Sequence, residues 1–190
     1  MREKSVILWE RLDLPGHEIC ELSRFDDGWR LKGVALLADD GRPCKLEYEI
    51  ACDASWQTRH AHVWGHVGDT IADLTIERAH QTVWRVNGAI LPALEACVDI
   101  DLGFSPSTNL LPIRRLSLAV GQHADVRAVW VRFPDLEVEV LEQRYARTGE
   151  RSYRYKSAGG AFVRDLTIND VGFVVDYPGL WREAGNAEGR

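Results

Sequence analysis

The sequence predicts an all-β protein: a single-domain antiparallel β-barrel, closed or partly open, with little helix. Three observations carry this. Short runs rich in Val, Ile, Leu, Trp and Tyr alternate apolar with polar residues instead of showing helical spacing. Clusters of Gly, Pro, Asn and Asp punctuate these runs at close intervals. The chain has 190 residues, 45% of them apolar, a size and composition that suit one β domain with its own core. No repeat, linker or low-complexity tract divides it, so 1–182 reads as one domain and 183–190 as a flexible polar tail.

Taken in order, the alternation places strands near 4–12, 17–25, 28–38, 43–52, 58–67, 70–79 and 82–87. Further strands fall near 96–101, 125–133, 136–145, 151–156, 161–168 and 171–176. Helix is expected only as a turn near Pro92–Ala96 and a short segment within Ser107–Arg115. Asp40-Gly41 is a strong two-residue hairpin signal, since both central positions need positive φ. With that turn, Leu37 opposes Cys44, Ala35 opposes Leu46, Gly33 opposes Tyr48, Leu31 opposes Ile50 and Trp29 opposes Cys52. One face is then nearly all apolar, and the other carries Arg30, Lys32, Lys45, Glu47 and Glu49, the division that a half-buried sheet requires.

The turn at Asp53–Gln57 is looser. If Cys52 faces Thr58, then Ile50 opposes His60, Tyr48 opposes His62, Leu46 opposes Trp64 and Cys44 opposes His66. The inward face would gain imidazoles and an indole, a lining better suited to a cavity wall than to a solid core. The hairpin at Pro134-Asp135 sets Val129, Val131 and Phe133 against Leu136, Val138 and Val140, with Arg132 meeting Glu137 and Arg127 meeting Glu142.

The alternation stops in Asp99–Leu116, DIDLGFSPSTNLLPIRRL. An irregular polar stretch on a regular scaffold is where binding groups tend to sit. Asn109 and its serine neighbours can exchange hydrogen bonds with a head group. Arg114 or Arg115 can meet an anionic or sugar-phosphate group; adjacent residues point apart, so one of them faces the site. Helix capping by Ser107 or Thr108 is the competing explanation. In WRVNG, Trp84 and Asn87 read either as a hairpin end or as ligand contacts.

Other chemistry finds little support. His60-x-His62 would suit a metal pair, but no carboxylate aims at it, and no metal or cofactor is expected. There is no GxSxG elbow, and Gly159-Gly160 is too short to cradle phosphate. The formal net charge of −6 is spread along the chain, which argues against nucleic-acid partners. Cys20, Cys44, Cys52 and Cys97 form no CxxC pair and read as small buried hydrophobes. The N-terminus has no signal-peptide pattern and no run is long enough to cross a membrane, so a cytoplasmic location is expected.

LWERLDLPGHE, WRVNG, VDIDLGFSPSTNLLPIRRL and VDYPGLW together resemble the bacterial family called putative glycolipid-binding, formerly a domain of unknown function. The resemblance covers Lys4 to Arg182. It implies a curved sheet similar to that of lipoprotein carriers, holding acyl chains inside, and it carries over no catalytic residue. On this basis the expected ligand is an amphipathic small molecule or glycolipid, its apolar part against Trp29, Leu31, Leu46, Tyr48 and Trp64. His62 and Trp84 line the same site, and Asn109 and one of the two arginines meet the head group. Two alternatives stay open: an enzyme using His62 as general base, and a structural or partner-binding domain with a solid core.

Overall fold

The computed structural model describes residues 4–80 and 82–185. Fifteen strands form one sheet: β1 Lys4–Arg11, β2 Gly16–Phe25, β3 Gly28–Asp39, β4 Arg42–Cys52, β5 Thr58–Val67, β6 Thr70–Ala79, β7 Val83–Val86, β8 Ala89–Ile90, β9 Asp99–Leu102, β10 His123–Val131, β11 Val138–Arg147, β12 Ser152–Ser157, β13 Phe162–Ile168, β14 Val174–Tyr177 and β15 Trp181–Glu183. Among the described residues the one α-helix, α1, spans Leu110–Leu116, preceded by a 3₁₀ turn at Ser107–Asn109. A second 3₁₀ turn covers Pro92–Leu94. The expected strands and both helical segments are present; β8 and β15, of two and three residues, are too short to show alternation. Residues 186–190 of the expected tail lie outside the described residues, while Glu183 pairs with Trp9.

The sheet order is β8-β7-β6-β5-β4-β3-β2-β1-β15-β14-β13-β12-β11-β10-β9. Its two edges, β8 and β9, are therefore neighbours in sequence. Residues 91–98 join them, a span of about 30 Å at most. A sheet this wide meets that limit only by curling until its edges approach. Val98 stitches the gap: its N–H donates to the Arg127 carbonyl at 3.2 Å, and its carbonyl accepts from Thr58 N–H at 3.3 Å. Trp84, fully buried, donates Nε1–H to the Cys97 carbonyl at 3.1 Å and so pins the same connection. The sheet stays open as a hydrogen-bonded ladder and reads as a partly open barrel.

The β3–β4 hairpin has the register the sequence predicts, with Asp40 and Gly41 both at positive φ. Asn87 and Gly88 make a second such turn between β7 and β8. The β10–β11 register also agrees, pairing Val131 with Val138 and Arg127 with Glu142.

The β4–β5 register does not agree. Cys52 does face Thr58, but a β-bulge follows and Ala51 pairs with His60, leaving Arg59 as the extra residue. One inserted residue sends every later side chain to the opposite face. Ala61, Val63 and Val67 therefore fill the concave side, opposite Ile50, Tyr48 and Cys44. His62 and Trp64 lie on the convex side, where they pair with Glu49 and Glu47. The expected imidazole-lined cavity wall is corrected to an aliphatic one.

All four cysteines are buried and free. Among the described residues, no helix is long and apolar enough to cross a membrane.

Candidate functional site

Gly103–Leu118 leaves β9 and folds back into the concave face of the sheet. The sequence suggests this stretch at the rim of an empty interior. The structure puts it inside. Phe104, Leu110 and Leu111 are fully buried, as are Ser107 and Thr108, and Ser105 and Asn109 nearly so. Phe104 meets the ring of Tyr48 at 6.2 Å between centroids. Trp29, Leu31, Leu46 and Tyr48, expected to face a ligand, are covered and belong to the packed core.

Polar bonds fix this internal strap in register. Cys20, Gly33 and Tyr48 form a row across β2, β3 and β4. Gly33 has no side chain, so the Tyr48 ring lies across β3 and reaches Glu18 on β2, its hydroxyl donating to Oε1 at 2.5 Å. A Cβ at position 33 would stand 2.3 Å from both Cζ and the hydroxyl of Tyr48. The same hydroxyl lies 2.8 Å from Ser107 Oγ, and Ser105 Oγ donates to Glu18 Oε1 at 2.5 Å. Burial pushes the Glu18 carboxyl up to about 8, against the hydrogen bonds of Ser105 and Tyr48 and the charge of Arg11. The shift favours the neutral acid, and the hydrogen bonds of Tyr48 and Ser105 to Glu18 tie sheet to strap. Gly33→Ala should displace Tyr48 and cost about 1–3 kcal/mol in urea unfolding; an unchanged midpoint would contradict the ring's placement over β3.

The far end of the strap is held as firmly. Tyr145 O–H donates to Asn109 Oδ1 at 2.8 Å, and Asn109 Nδ2–H donates to the Pro106 carbonyl. Arg115 closes a bidentate pair with buried Asp99, at 2.9 and 2.5 Å. Burial works against the Arg115 charge, but the hydrogen bonds and charge of Asp99 outweigh it and hold its pKa above the ordinary value.

Arg114, one residue earlier, turns the other way. Its guanidinium lies 5.1 Å over the ring of Trp56, which stacks on Trp29 at 4.4 Å; Arg24 covers the far side of Trp29 at 4.0 Å. Among the described residues no carboxylate pairs with Arg114. It opens onto a cleft of about 390 Å³ bounded by Trp56, Ile113, Arg147, Tyr153 and Ile168. Arg147 donates to the carbonyls of Leu118, Gly149 and Glu150, and among the described residues it too has no carboxylate partner. Ile113 and Ile168 are buried and join the cleft floor to the core. A larger cleft, about 860 Å³, is bounded by Arg115, Gln143, Lys156 and Ser157. Behind it Gln143 Nε2–H donates to Asp101, whose carboxyl burial pushes up to about 6. The helix thus presents one arginine to each cleft, and only Arg114 brings an uncompensated charge.

A family described as "Putative glycolipid-binding" matches residues 6–183. The chain belongs to that family. A crystal structure of a DUF1089 family protein from Pseudomonas aeruginosa, at 1.80 Å resolution, is similar to it, with 34% sequence identity and a TM-score of 0.78 over 87% of this chain and 90% of that one. No curated protein matches the chain.

Of the residues that the sequence suggests for a glycolipid site in this family member, the structure brings Arg114 and Trp29 into one stack through Trp56, and none of the others joins it. Tyr48, Asn109 and Arg115 secure the strap. Trp84 braces the edge connection. His62 lies on the convex face, its Nε2 2.8 Å from Asp73 Oδ1 and its ring 4.8 Å from Trp64. Sequence reasoning misses Trp56, Arg147 and Tyr153, which come from separate loops and strands and share no local pattern. It also misses Glu18, although a signal exists: Glu18 shares strand parity with Cys20 and Leu22, an acid on an apolar face.

Proposed function

We propose that this protein binds an amphipathic ligand of the glycolipid class, its head group in the Arg114 cleft and its apolar part along Ile113, Ile168 and Tyr153. The observation that carries this reading is the pairing of an uncompensated guanidinium, stacked on Trp56, with a floor continuous with the core. The family description agrees with it. Because Phe104, Leu110 and Leu111 occupy the concave side, the ligand is held at the rim and not deep within the sheet. A partner-binding domain would also have a filled interior; an uncompensated Arg114 beside an open cleft favours the small amphiphile. The His62 alternative loses support because that residue sits on an open convex face. We place the protein in the cytoplasm, where its four unpaired buried thiols are at home.

Native mass spectrometry of the purified protein should show a bound lipid, or uptake of a short-chain lipid after extraction. Neither being seen would remove this reading and leave the partner-binding domain. Rim and interior are separable as well. Cys20 stands in the row with Gly33 and Tyr48, and the Tyr48 hydroxyl lies 2.8 Å from Ser107 Oγ, so Ser107→Cys brings a second thiol towards Cys20 and offers a disulfide that clamps strap to sheet. Affinity should be the same within about twofold for the oxidised and reduced forms of that variant. Loss on oxidation, restored by reductant, would mean that the ligand enters the interior.

A further inference from the structure

We propose that the Arg114 cleft is an anion site, selecting ligands that carry a phosphate or carboxylate over neutral sugars. This rests on the reading of the cleft as the head-group site and names the class of head group it takes. Three guanidinium groups bound the cleft, those of Arg114, Arg147 and Arg151, against the carboxylates of Glu150 and Asp170. Arg151 and Asp170 neutralise each other at 2.5 Å. Glu150 accepts from Arg147 through its backbone carbonyl. Two cations therefore converge on one opening without carboxylate partners among the described residues, on a chain whose formal net charge is −6. That local reversal of sign is a specific arrangement, since an acidic protein does not gain solubility by concentrating unpaired arginines.

The two arginines are also held in place. Arg147 is fixed by its three carbonyl acceptors and lies 5.8 Å over the Tyr153 ring. Arg114 is packed between Trp56 and Gly172, where a Cβ would stand 3.2 Å from its Cδ. Gly172 has φ +103 and so has both a backbone and a steric reason to be glycine. Held this way, Arg114 keeps its donors for the oxygens of a phosphate or carboxylate, Arg147 adds its charge and the N–H groups that its carbonyl bonds leave over, and little side-chain freedom is lost on binding. Trp56 and Tyr153 supply flat apolar walls for the part of the ligand next to the charge.

The test is calorimetric titration of the full chain with three probes: inorganic phosphate, dihexanoyl phosphatidylglycerol and neutral octyl glucoside. The anionic lipid should bind more tightly than octyl glucoside by about tenfold or more, and its affinity should fall as salt rises. Arg114→Gln should weaken the anionic lipid roughly tenfold and leave octyl glucoside unchanged. Arg114→Lys, which keeps charge but loses the planar fork, should fall between. Arg154→Gln, at an exposed pair with Asp165 on the face of β12 opposite to Tyr153, should bind as wild type. Arg147 is left intact because its carbonyl bonds hold the Leu118 and Gly149 loops. Equal binding of both lipids, insensitive to Arg114→Gln, would overturn the anion site and leave the amphiphile reading standing. Binding of inorganic phosphate alone would uphold the anion site with a free anion as its ligand and overturn the amphiphile reading. Binding of none of the three would overturn both.

Discussion

Wild-type protein should lose stability steadily as pH rises from about 5 to 8, and Glu18→Gln should abolish most of that loss. The sign follows from the direction of the shift. The Glu18 carboxyl rises from its ordinary 4.5 to about 8 on folding, chiefly through burial. A carboxyl raised on folding contributes fully below its unfolded pKa, and that contribution disappears as pH climbs through the folded value. At about 1.4 kcal/mol per unit the window is worth about 5 kcal/mol. The Tyr48 hydroxyl and the Cys20 thiol beside Glu18 do not titrate in it, because burial raises both. Asp101, raised to about 6, adds a loss of the same sign at lower pH. The comparison is therefore read between pH 6 and 8. In urea titrations there, the wild-type midpoint should fall and that of Glu18→Gln should stay nearly flat. Parallel slopes would show that Glu18 is ionised inside the fold.

Arg115→Ala should cost about 3–5 kcal/mol, because it leaves the Asp99 carboxylate buried without its bidentate partner. Asp99→Asn combined with Arg115→Ala should recover part of the loss, since the stranded charge is then gone; a double-mutant cycle measures the coupling. The neighbouring Arg114→Gln should cost about 1 kcal/mol or less, the worth of a partly exposed cation–π contact. Two adjacent arginines are thus assigned opposite duties, one to stability and one to binding. Equal costs for the two would contradict that assignment.

Much of the fold was legible because β-sheet faces follow parity. The Asp40-Gly41 turn fixed ten facing residues at once, and the Pro134-Asp135 hairpin kept its register with Pro134 in a cis peptide. Parity is also where the reading broke. A single bulge at Arg59 moved His62 and Trp64 to the convex face, and nothing in Asp53–Gln57 announces an inserted residue. The 99–116 segment is legible as the irregular element, yet its place inside the sheet depends on Gly33 opening a path for Tyr48, a long-range coincidence of glycine, tyrosine and acid on three strands. Arg114 was legible as half of a pair. Its partners in the cleft were not, since Trp56, Arg147 and Tyr153 converge only once the sheet has curled.

The seven tryptophan indoles report on rim and interior separately. Trp56 and Trp29 lie beside the cleft, whereas Trp9 and Trp84 are fully buried and donate to the carbonyls of Val174 and Cys97. Titrating dihexanoyl phosphatidylglycerol into indole-¹⁵N-labelled protein should move the Trp56 and Trp29 resonances in a saturable way and leave Trp9 and Trp84 in place. Movement of Trp9 and Trp84 with Trp56 unmoved would put the ligand in the interior and contradict the rim site.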